Sequence, residues 1–249
     1  MAANVPATDA VAEVIQTATA KFDAKLFDQA AADLKAGLAR APASASAPNA
    51  YLLMGRIYEA ARKPDDAMAA YVELRSKHAT SPITAEASMR LADLLLQSKR
   101  SDRDATAVTI LTDVATNHPR TAFAPQALTR RATIEDRLKT RATDPLLNIQ
   151  VPASLLTYRA LIERYPTAEG LEAAYDKMAT TYDDLRQYEL SAQTLEALVM
   201  KNPVNRYDAA WRAAELYSRR LKNDAKAREL YGAVPRGTAH YADAQKKLQ

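Results

Sequence analysis

Apolar residues along this chain repeat with the period of an amphipathic helix, and the clearest copy of the pattern covers residues 172–205. Its first half carries apolar residues three or four positions apart, which places them on one helix face: Tyr175, Met178, Ala179 and Tyr182. Its second half repeats that spacing with Ala192, Leu195, Leu198 and Val199. One such hairpin cannot bury its own apolar faces and therefore requires stacked neighbours.

A pair of small residues followed by a larger residue marks the first helix of each predicted hairpin. Five copies share offsets of five and three residues: Ala50, Gly55 and Tyr58; Ala87, Ala92 and Leu95; Ala127, Ala132 and Glu135; Ala174, Ala179 and Tyr182; and Ala209, Ala214 and Tyr217. Small residues let the second helix approach closely, and the larger residue fills the gap one turn later. No run of alternating Val, Ile or Thr favours a strand, so a sheet is not expected.

These patterns predict an all-α fold of about six helical hairpins with a C-terminal capping helix at residues 239–248. The predicted hairpins cover residues 12–42, 49–81, 83–119, 123–166, 172–205 and 206–235, after a flexible N-terminus at residues 1–11. The second helices are expected to end before Pro82, Pro119, Pro166, Pro203 and Pro235, because proline lacks the N–H that continues a helix. Asp and Ser in the turns at 62–65, 99–102 and 222–224 are expected to cap the helices that follow.

The array resembles tetratricopeptide repeats. That family's 34-residue pattern places a large, a small and an aromatic residue in the first helix, and two hairpins match it: Tyr175, Ala179, Tyr182, Leu195, Leu198 and Pro203; and Tyr51, Gly55, Tyr58, Ala67, Tyr71 and Leu74. The other hairpins depart from the pattern, since Glu135 stands where the family usually has an aromatic residue. The resemblance implies a right-handed α-solenoid that binds a partner protein or peptide on its concave face and is not an enzyme.

A narrower resemblance concerns the connectors NHPRTAFAPQA at 117–127 and RYPTAEGLEAA at 164–174. They are similar to those of bacterial cell-envelope members of the superfamily, namely the Bam-complex lipoprotein that assists outer-membrane barrel assembly and the Tol-Pal-associated periplasmic repeat protein. This resemblance implies a periplasmic or cell-envelope location and a peripheral envelope complex. The start, MAANVPATDAVAEV, has neither a basic n-region nor an apolar h-region, so a cytoplasmic location is the alternative to a mature segment without its signal.

Composition narrows the function classes. The chain has 34 basic and 30 acidic residues without a basic cluster, so no nucleic-acid partner is predicted. It has no cysteine, which excludes disulfides and thiolate metal sites, and no stretch approaches the roughly 20 apolar residues of a membrane span. No nucleophile elbow, phosphate-binding glycine loop or metal-spaced histidine set is present. We therefore predict a protein without catalytic residues, cofactor or metal.

Candidate partner-binding residues lie on the first helices. In tetratricopeptide arrays, positions such as the fifth of the first helix resemble those that line the concave groove. Apolar partner side chains are expected to meet Leu52, Met89, Leu96 and Trp211, and carboxylates are expected to meet Arg56, Arg90, Arg130 and Arg212. The alternatives are packing between neighbouring repeats for the apolar residues and solvated helix faces for the arginines.

The insertion at residues 140–152 is the largest departure from the repeat pattern. It separates the two helices of one hairpin and carries the apolar residues Leu146, Leu147, Ile149 and Val151. These residues are a candidate partner-binding loop, and the alternative is that they fold back over the hairpin as a local plug. Besides partner binding, two further functions stay open: self-association through the array ends or this insertion, and service as the accessory region of a larger enzyme.

Overall fold

The computed structural model describes residues 9–249 and contains, in that range, thirteen helices and two short strands. The first three hairpins consist of α1 (Ala10–Asp23), α2 (Phe27–Arg40), α3 (Ala47–Ala60), α4 (Pro64–Lys77), α5 (Ile83–Gln97) and α6 (Arg103–Asn117). The fourth pair, α7 (Phe123–Leu138) and α8 (Ala153–Arg164), is separated by β1 (Arg141–Asp144) and β2 (Ile149–Pro152). The remaining helices are α9 (Leu171–Asp184), α10 (Tyr188–Lys201), α11 (Ala209–Arg219), α12 (Asp224–Gly232) and α13 (Tyr241–Leu248). The predicted fold of consecutive helical hairpins is confirmed.

The chain divides into two compact units, one ending at Ala127 and the other running from Leu128 to Gln249, with the boundary inside α7. In the first unit, α1 packs on α2, α3 on α4 and α5 on α6, and the first helices α1, α3 and α5 also contact one another in order. In the second unit, each helix from α8 to α13 packs on the next. Its core is a cluster centred on Leu195, Leu198, Ala213 and Tyr231.

The small-then-large register is confirmed by burial. All ten small residues of the five copies are buried, as are Leu95, Tyr182 and Tyr217. The second helix approaches closely at Gly55, where a Cβ atom would overlap the Tyr71 ring of α4. Tyr71 is fully buried and donates its hydroxyl to Glu59 of α3. Because Gly55 has no side chain, the Tyr71 ring can pack directly against α3, and this close packing stabilises the hairpin.

The N-terminal end of the first helix is more ordered than predicted. Helix α1 begins at Ala10, and the Asp9 carboxylate caps it by accepting a hydrogen bond from the Val11 N–H at 3.0 Å. The same carboxylate accepts bonds from the Ser44 hydroxyl and the Ser46 N–H, and the two serines lower the pKa of Asp9 to about 2. Asp9 thus ties the α2–α3 connector to the start of α1. Residues 1–8 of the predicted flexible segment lie outside the described residues.

The expected capping of second helices by turn aspartates is wrong at most positions. Asp102 occupies the N-cap of α6 but makes no capping bond, because its carboxylate instead accepts from Arg100 at 3.0 and 2.9 Å. Only Asn223 among the predicted turn residues caps, accepting from the Lys226 N–H at 3.1 Å. The turns are shaped instead by non-glycine residues with left-handed backbone, with φ between 54° and 61°: Lys25, Arg62, Arg186 and Lys222.

The absence of a sheet was also predicted incorrectly. Residues 141–152 form an antiparallel β-hairpin between α7 and α8, in which Arg141 pairs with Pro152 and Asp144 pairs with Ile149. Each strand has only four residues. Such short strands have no room for an alternating apolar pattern, and their stability comes from contacts to the neighbouring helix.

The Gly55 contact generates the first prediction. Gly55→Ala should lower the free energy of unfolding by about 2 kcal/mol, because the added methyl group must displace the Tyr71 ring from its buried position. Urea unfolding followed by circular dichroism measures the change. Gly232→Ala is the matched control: no atom lies within 4 Å of its added Cβ, so stability should stay the same or rise by about 0.5 kcal/mol. Equal stability of Gly55→Ala and the natural chain would show that the contact is not tight.

Candidate functional site

The first helices of the first unit carry a network of four alternating charges, here called the α3–α5 charge network: Arg56, Glu59, Glu86 and Arg90. Arg56 donates to Glu86, and Arg90 donates to the same carboxylate from Nε at 3.0 Å. Arg90 also reaches Glu59, with 3.4 Å between Nη1 and Oε1. Two predicted site arginines are thus brought together, and both already contact carboxylates of the chain itself.

Burial and hydrogen bonds shift the pKa of Glu86 in this network and of Tyr71 beside it. Burial opposes the ionised form of Glu86, but hydrogen bonds from Arg56 and Arg90 outweigh it and lower the pKa of that carboxyl below its usual value. Burial and the bond to Glu59 raise the pKa of Tyr71 well above its ordinary value, so the Tyr71 hydroxyl remains a donor. Two arginines therefore favour the carboxylate form of Glu86, and the two glutamates and two arginines give the α3–α5 charge network no net formal charge.

A cavity of about 510 Å³ lies beside this network. Its walls include Glu59 and Arg90 of the network, Arg62 of the α3–α4 turn, and Asp93 and Leu94 of α5. The cavity is therefore lined by both signs of charge with one aliphatic wall. Pockets of this size and mixed lining accept small ligands or single side chains of a partner.

Two predicted apolar contacts of the groove are not on the accessible surface. Leu52 is 7% exposed and Met89 is 3% exposed, so the structure places both in the packing between repeats. Leu96 and Arg130 are half-buried on α5 and α7. The fifth position of the first helix is thus buried in these two hairpins, and the sequence period alone did not indicate this burial.

In the second unit, α11 presents Arg212 to the preceding first helix, α9. The guanidinium forms an ion pair with Asp176 at 2.5 Å and donates to the Thr180 hydroxyl at 3.1 Å. Next to it lies a cavity of about 250 Å³, lined in part by Trp211, Arg212 and Glu215. Trp211 and Arg212 both line this cavity, and Arg212 has a carboxylate partner within the chain.

Trp211 is half-buried and makes two aromatic contacts within the second unit. Its ring stacks on His240 at the start of the capping helix, with centroids 4.8 Å apart and planes within 4°. It also packs against Tyr231 of α12 at 5.5 Å. The ring therefore joins the last hairpin to α13, which is the packing role considered as the alternative to partner binding.

The apolar residues of the insertion divide between interior and solvent. Val151 is fully buried, and Leu147 is half-buried. Leu146, in the turn between the strands, is 75% exposed, and Ile149 is 39% exposed. The plug and the exposed loop considered for this segment are thus both present, in different residues.

A buried ion pair that the sequence did not indicate anchors the β-hairpin. The Asp144 carboxylate is fully buried and accepts two bonds from Arg159 of α8, at 3.1 and 2.5 Å, and one from the Leu146 N–H at 2.8 Å. Hydrogen bonds from Arg159 lower the pKa of Asp144 against the opposing effect of burial. Arg159 also donates a hydrogen bond to the Tyr182 hydroxyl at 2.7 Å. Leu146 is thereby held at a defined position.

Glu135 shows why one repeat departs from the aromatic pattern. Its side chain is buried and accepts bonds from Arg131 at 2.7 Å and from the Thr157 hydroxyl of α8 at 2.7 Å. The neighbouring Asp136 accepts from Tyr158 at 3.0 Å. Polar bonds therefore connect α7 to α8 where other hairpins use an apolar side chain. The replacement was visible in the sequence, but its partner was not.

Among residues 9–249, no three His, Cys, Asp or Glu side chains form a group able to hold a metal ion. No helix in that part of the chain is long and apolar enough to cross a membrane.

Comparisons with known proteins support the fold. Residues 49–81 match the family model TPR_6, described as tetratricopeptide repeat, and no curated protein is similar to the chain. The chain is similar to a tetratricopeptide repeat protein from Parabacteroides merdae ATCC 43184, with a TM-score of 0.50, 16% identity, and coverage of 96% of this chain and 85% of that one. It is similar to MamA protein, with a TM-score of 0.50, 17% identity, and coverage of 78% and 93%. At these identities the likeness establishes a tetratricopeptide-type fold and nothing further.

The Asp144–Arg159 pair generates the second prediction. Asp144→Asn should lower the free energy of unfolding at pH 7 by about 3 kcal/mol, because Arg159 loses its buried partner. The pKa of Asp144 is lowered in the folded chain, so its contribution is present above the unfolded pKa of about 3.9 and is lost as pH falls through the folded pKa. The difference between the two chains should therefore narrow in urea unfolding at pH 3.

The exposed residue Asp184 offers a control for this experiment in the same unit. Asp184→Asn should change stability by less than about 0.5 kcal/mol at either pH. A stability difference between Asp144→Asn and the natural chain that does not change with pH would contradict the assigned ion pair.

Proposed function

We propose that this protein is a non-enzymatic scaffold that binds a partner protein, or a peptide segment of one, on the first-helix faces of its hairpins. The observation that carries the proposal is the α3–α5 charge network beside its 510 Å³ cavity. An array of charged side chains next to a pocket orients a peptide and selects among peptides. In the correct register opposite charges meet, whereas in a wrong register like charges meet and repel. The tetratricopeptide-type fold supports the same role.

The geometry favours a partner segment with an acidic side chain. Arg90 and Arg62 both line the cavity, and the Arg90 contact to Glu59 is the longest of the network at 3.4 Å. A carboxylate of the partner can therefore replace Glu59 as a partner of Arg90 at the cost of only this long hydrogen bond. A guanidinium binds carboxylates through two parallel hydrogen bonds. The aliphatic wall at Leu94 accommodates the stem of the same side chain. In the second unit, Trp211 and Arg212 line a smaller cavity of the same mixed character.

The finer proposal is that the scaffold acts in a bacterial cell-envelope complex, in the manner of the Bam-complex and Tol-Pal-associated proteins. Its support is the similarity of the connectors at 117–127 and 164–174 to those of envelope members. Fractionation of the cells that naturally produce the protein, followed by detection with an antibody, should recover it with periplasmic markers. Recovery with cytoplasmic markers alone would refute the envelope role and leave the binding role intact.

A binding experiment tests the scaffold itself. Peptides selected from a random display library on the natural chain should be enriched in acidic residues, and Arg90→Glu should weaken their binding at least about tenfold by calorimetry, since the cation that pairs with them is replaced by a like charge. Arg40→Glu makes the same charge change on an exposed part of α2 and should leave affinity within about twofold.

A charge-swapped chain separates binding from folding in this experiment. Arg56→Glu combined with Glu86→Arg reverses the pair between α3 and α5 but removes the Glu86 partner of Arg90. Circular dichroism first establishes that this chain folds, and its peptide preference should then change. Failure to select any peptide, or equal affinity of Arg90→Glu and the natural chain, would refute the proposed surface.

A further inference from the structure

The β-hairpin leaves one strand edge open. Neighbouring pairs in an antiparallel ladder alternate between pairs that bond to each other and pairs whose N–H and C=O groups point outward. The Ala153 N–H donates to the Thr140 carbonyl at 2.9 Å, which fixes that alternation in the observed register. On β1, Arg141 and Thr143 are consequently the residues whose backbone groups point away from β2. Both residues are exposed.

The other edge of the hairpin is obstructed. On β2 the outward-pointing residues are Gln150 and Pro152, and proline has no N–H to donate. The Gln150 carbonyl is already bonded, since it accepts from the Arg141 guanidinium at 2.6 Å. Each strand has a single partner in the two-stranded sheet, so β1 alone presents an intact pairing edge.

We propose that this edge pairs with the same edge of a second copy of the chain, which joins two hairpins into a four-stranded antiparallel sheet. The edge is self-complementary. With Ala142 placed opposite Ala142 of the second copy, Arg141 of each chain faces Thr143 of the other, and these are the residues with outward N–H and C=O groups. The central position is a non-bonded pair, where Cα atoms approach to about 4.5 Å, and alanine is small enough for that distance. Because the pairing has two-fold symmetry, each backbone hydrogen bond from one chain to the other has a symmetric counterpart.

Exposed apolar residues around the hairpin favour a second copy over an unrelated polar strand. Leu146 at the turn is 75% exposed, Ile149 is 39% exposed, and Leu138 at the end of α7 is 43% exposed. In the antiparallel arrangement the turn of one hairpin extends past the base of the other. Leu146 of each copy is therefore directed toward the region of Leu138 in its partner, and both side chains lose exposure together.

The pairing is expected to be weak and concentration-dependent. Four-residue strands and three apolar side chains cover less than the roughly 1,200 Å² of a stable interface. Association therefore takes place where the chains are concentrated or held side by side.

Sedimentation velocity across a range of micromolar to millimolar chain concentration tests the proposal. The natural chain should shift from monomer to dimer, and Thr143→Pro should raise the dimer dissociation constant at least about tenfold, because it removes an outward N–H without touching the ladder. Gln150→Pro is the matched control, since it removes an outward N–H from the obstructed edge and breaks the same side-chain bond between Gln150 and Thr143. Its dissociation constant should stay within about twofold of the natural value.

Other outcomes overturn the proposal. A natural chain that stays monomeric at millimolar concentration refutes it, as does an equal effect of Thr143→Pro and Gln150→Pro. If Thr143→Pro does not fold, Leu146→Asp decides: the side chain is exposed in the monomer, so the chain should fold and its dimer should weaken by about tenfold or more. An unchanged dimer would then exclude this surface.

Cross-linking gives an independent readout, because the chain has no native cysteine. Ala142→Cys should form an intermolecular disulfide under mild oxidation, since the proposed Cα separation of about 4.5 Å lies in the disulfide range. Gln150→Cys, on the obstructed edge, should form no intermolecular disulfide at the same concentration. Equal cross-linking of the two variants, or none with Ala142→Cys, would refute the symmetric pairing.

Discussion

Close approach between the two helices of a hairpin is the constraint on which the other features depend. At Gly55 the second helix comes so near that the Tyr71 ring occupies the space of a missing side chain, and alanine serves the same purpose in the other copies. Small residues at these positions let the two helices pack closely. On the same first helices, α3 and α5, the charged residues of the α3–α5 charge network are only partly buried and contact one another.

The hairpin of α7 and α8 uses buried polar contacts, and two of them end on the same helix, α8. Glu135 replaces an aromatic residue and bonds to Thr157, and Asp144 in the insertion bonds to Arg159 on the same helix. Buried polar pairs are directional, so they fix the strands relative to α8 more narrowly than apolar contacts would. The least regular repeat of the chain is therefore still a rigid one, and its exposed turn is presented from a defined base.

The hairpin pattern, the small-then-large register and the helix ends before proline could be predicted from sequence because they depend on neighbours a few residues apart. The strands at 141–152 could not, since their four-residue segments are stabilised by Arg159 in the following helix. The site was predictable only in part. Arg56 and Arg90 were candidates, and both contact Glu86, which the sequence did not indicate. Leu52 and Met89 are buried, because burial depends on contacts with other elements that the helical period alone does not specify.

The stack of Trp211 on His240 makes tryptophan fluorescence a probe of the contact between α11 and α13. Trp211 is the sole tryptophan, so intrinsic fluorescence reports the contact between the last hairpin and α13, whereas circular dichroism averages over all helices. In repeat proteins each unit is stabilised mainly by its neighbours. Comparing the two signals during unfolding would measure whether the contact between α11 and α13 is lost together with the other helices or separately from them.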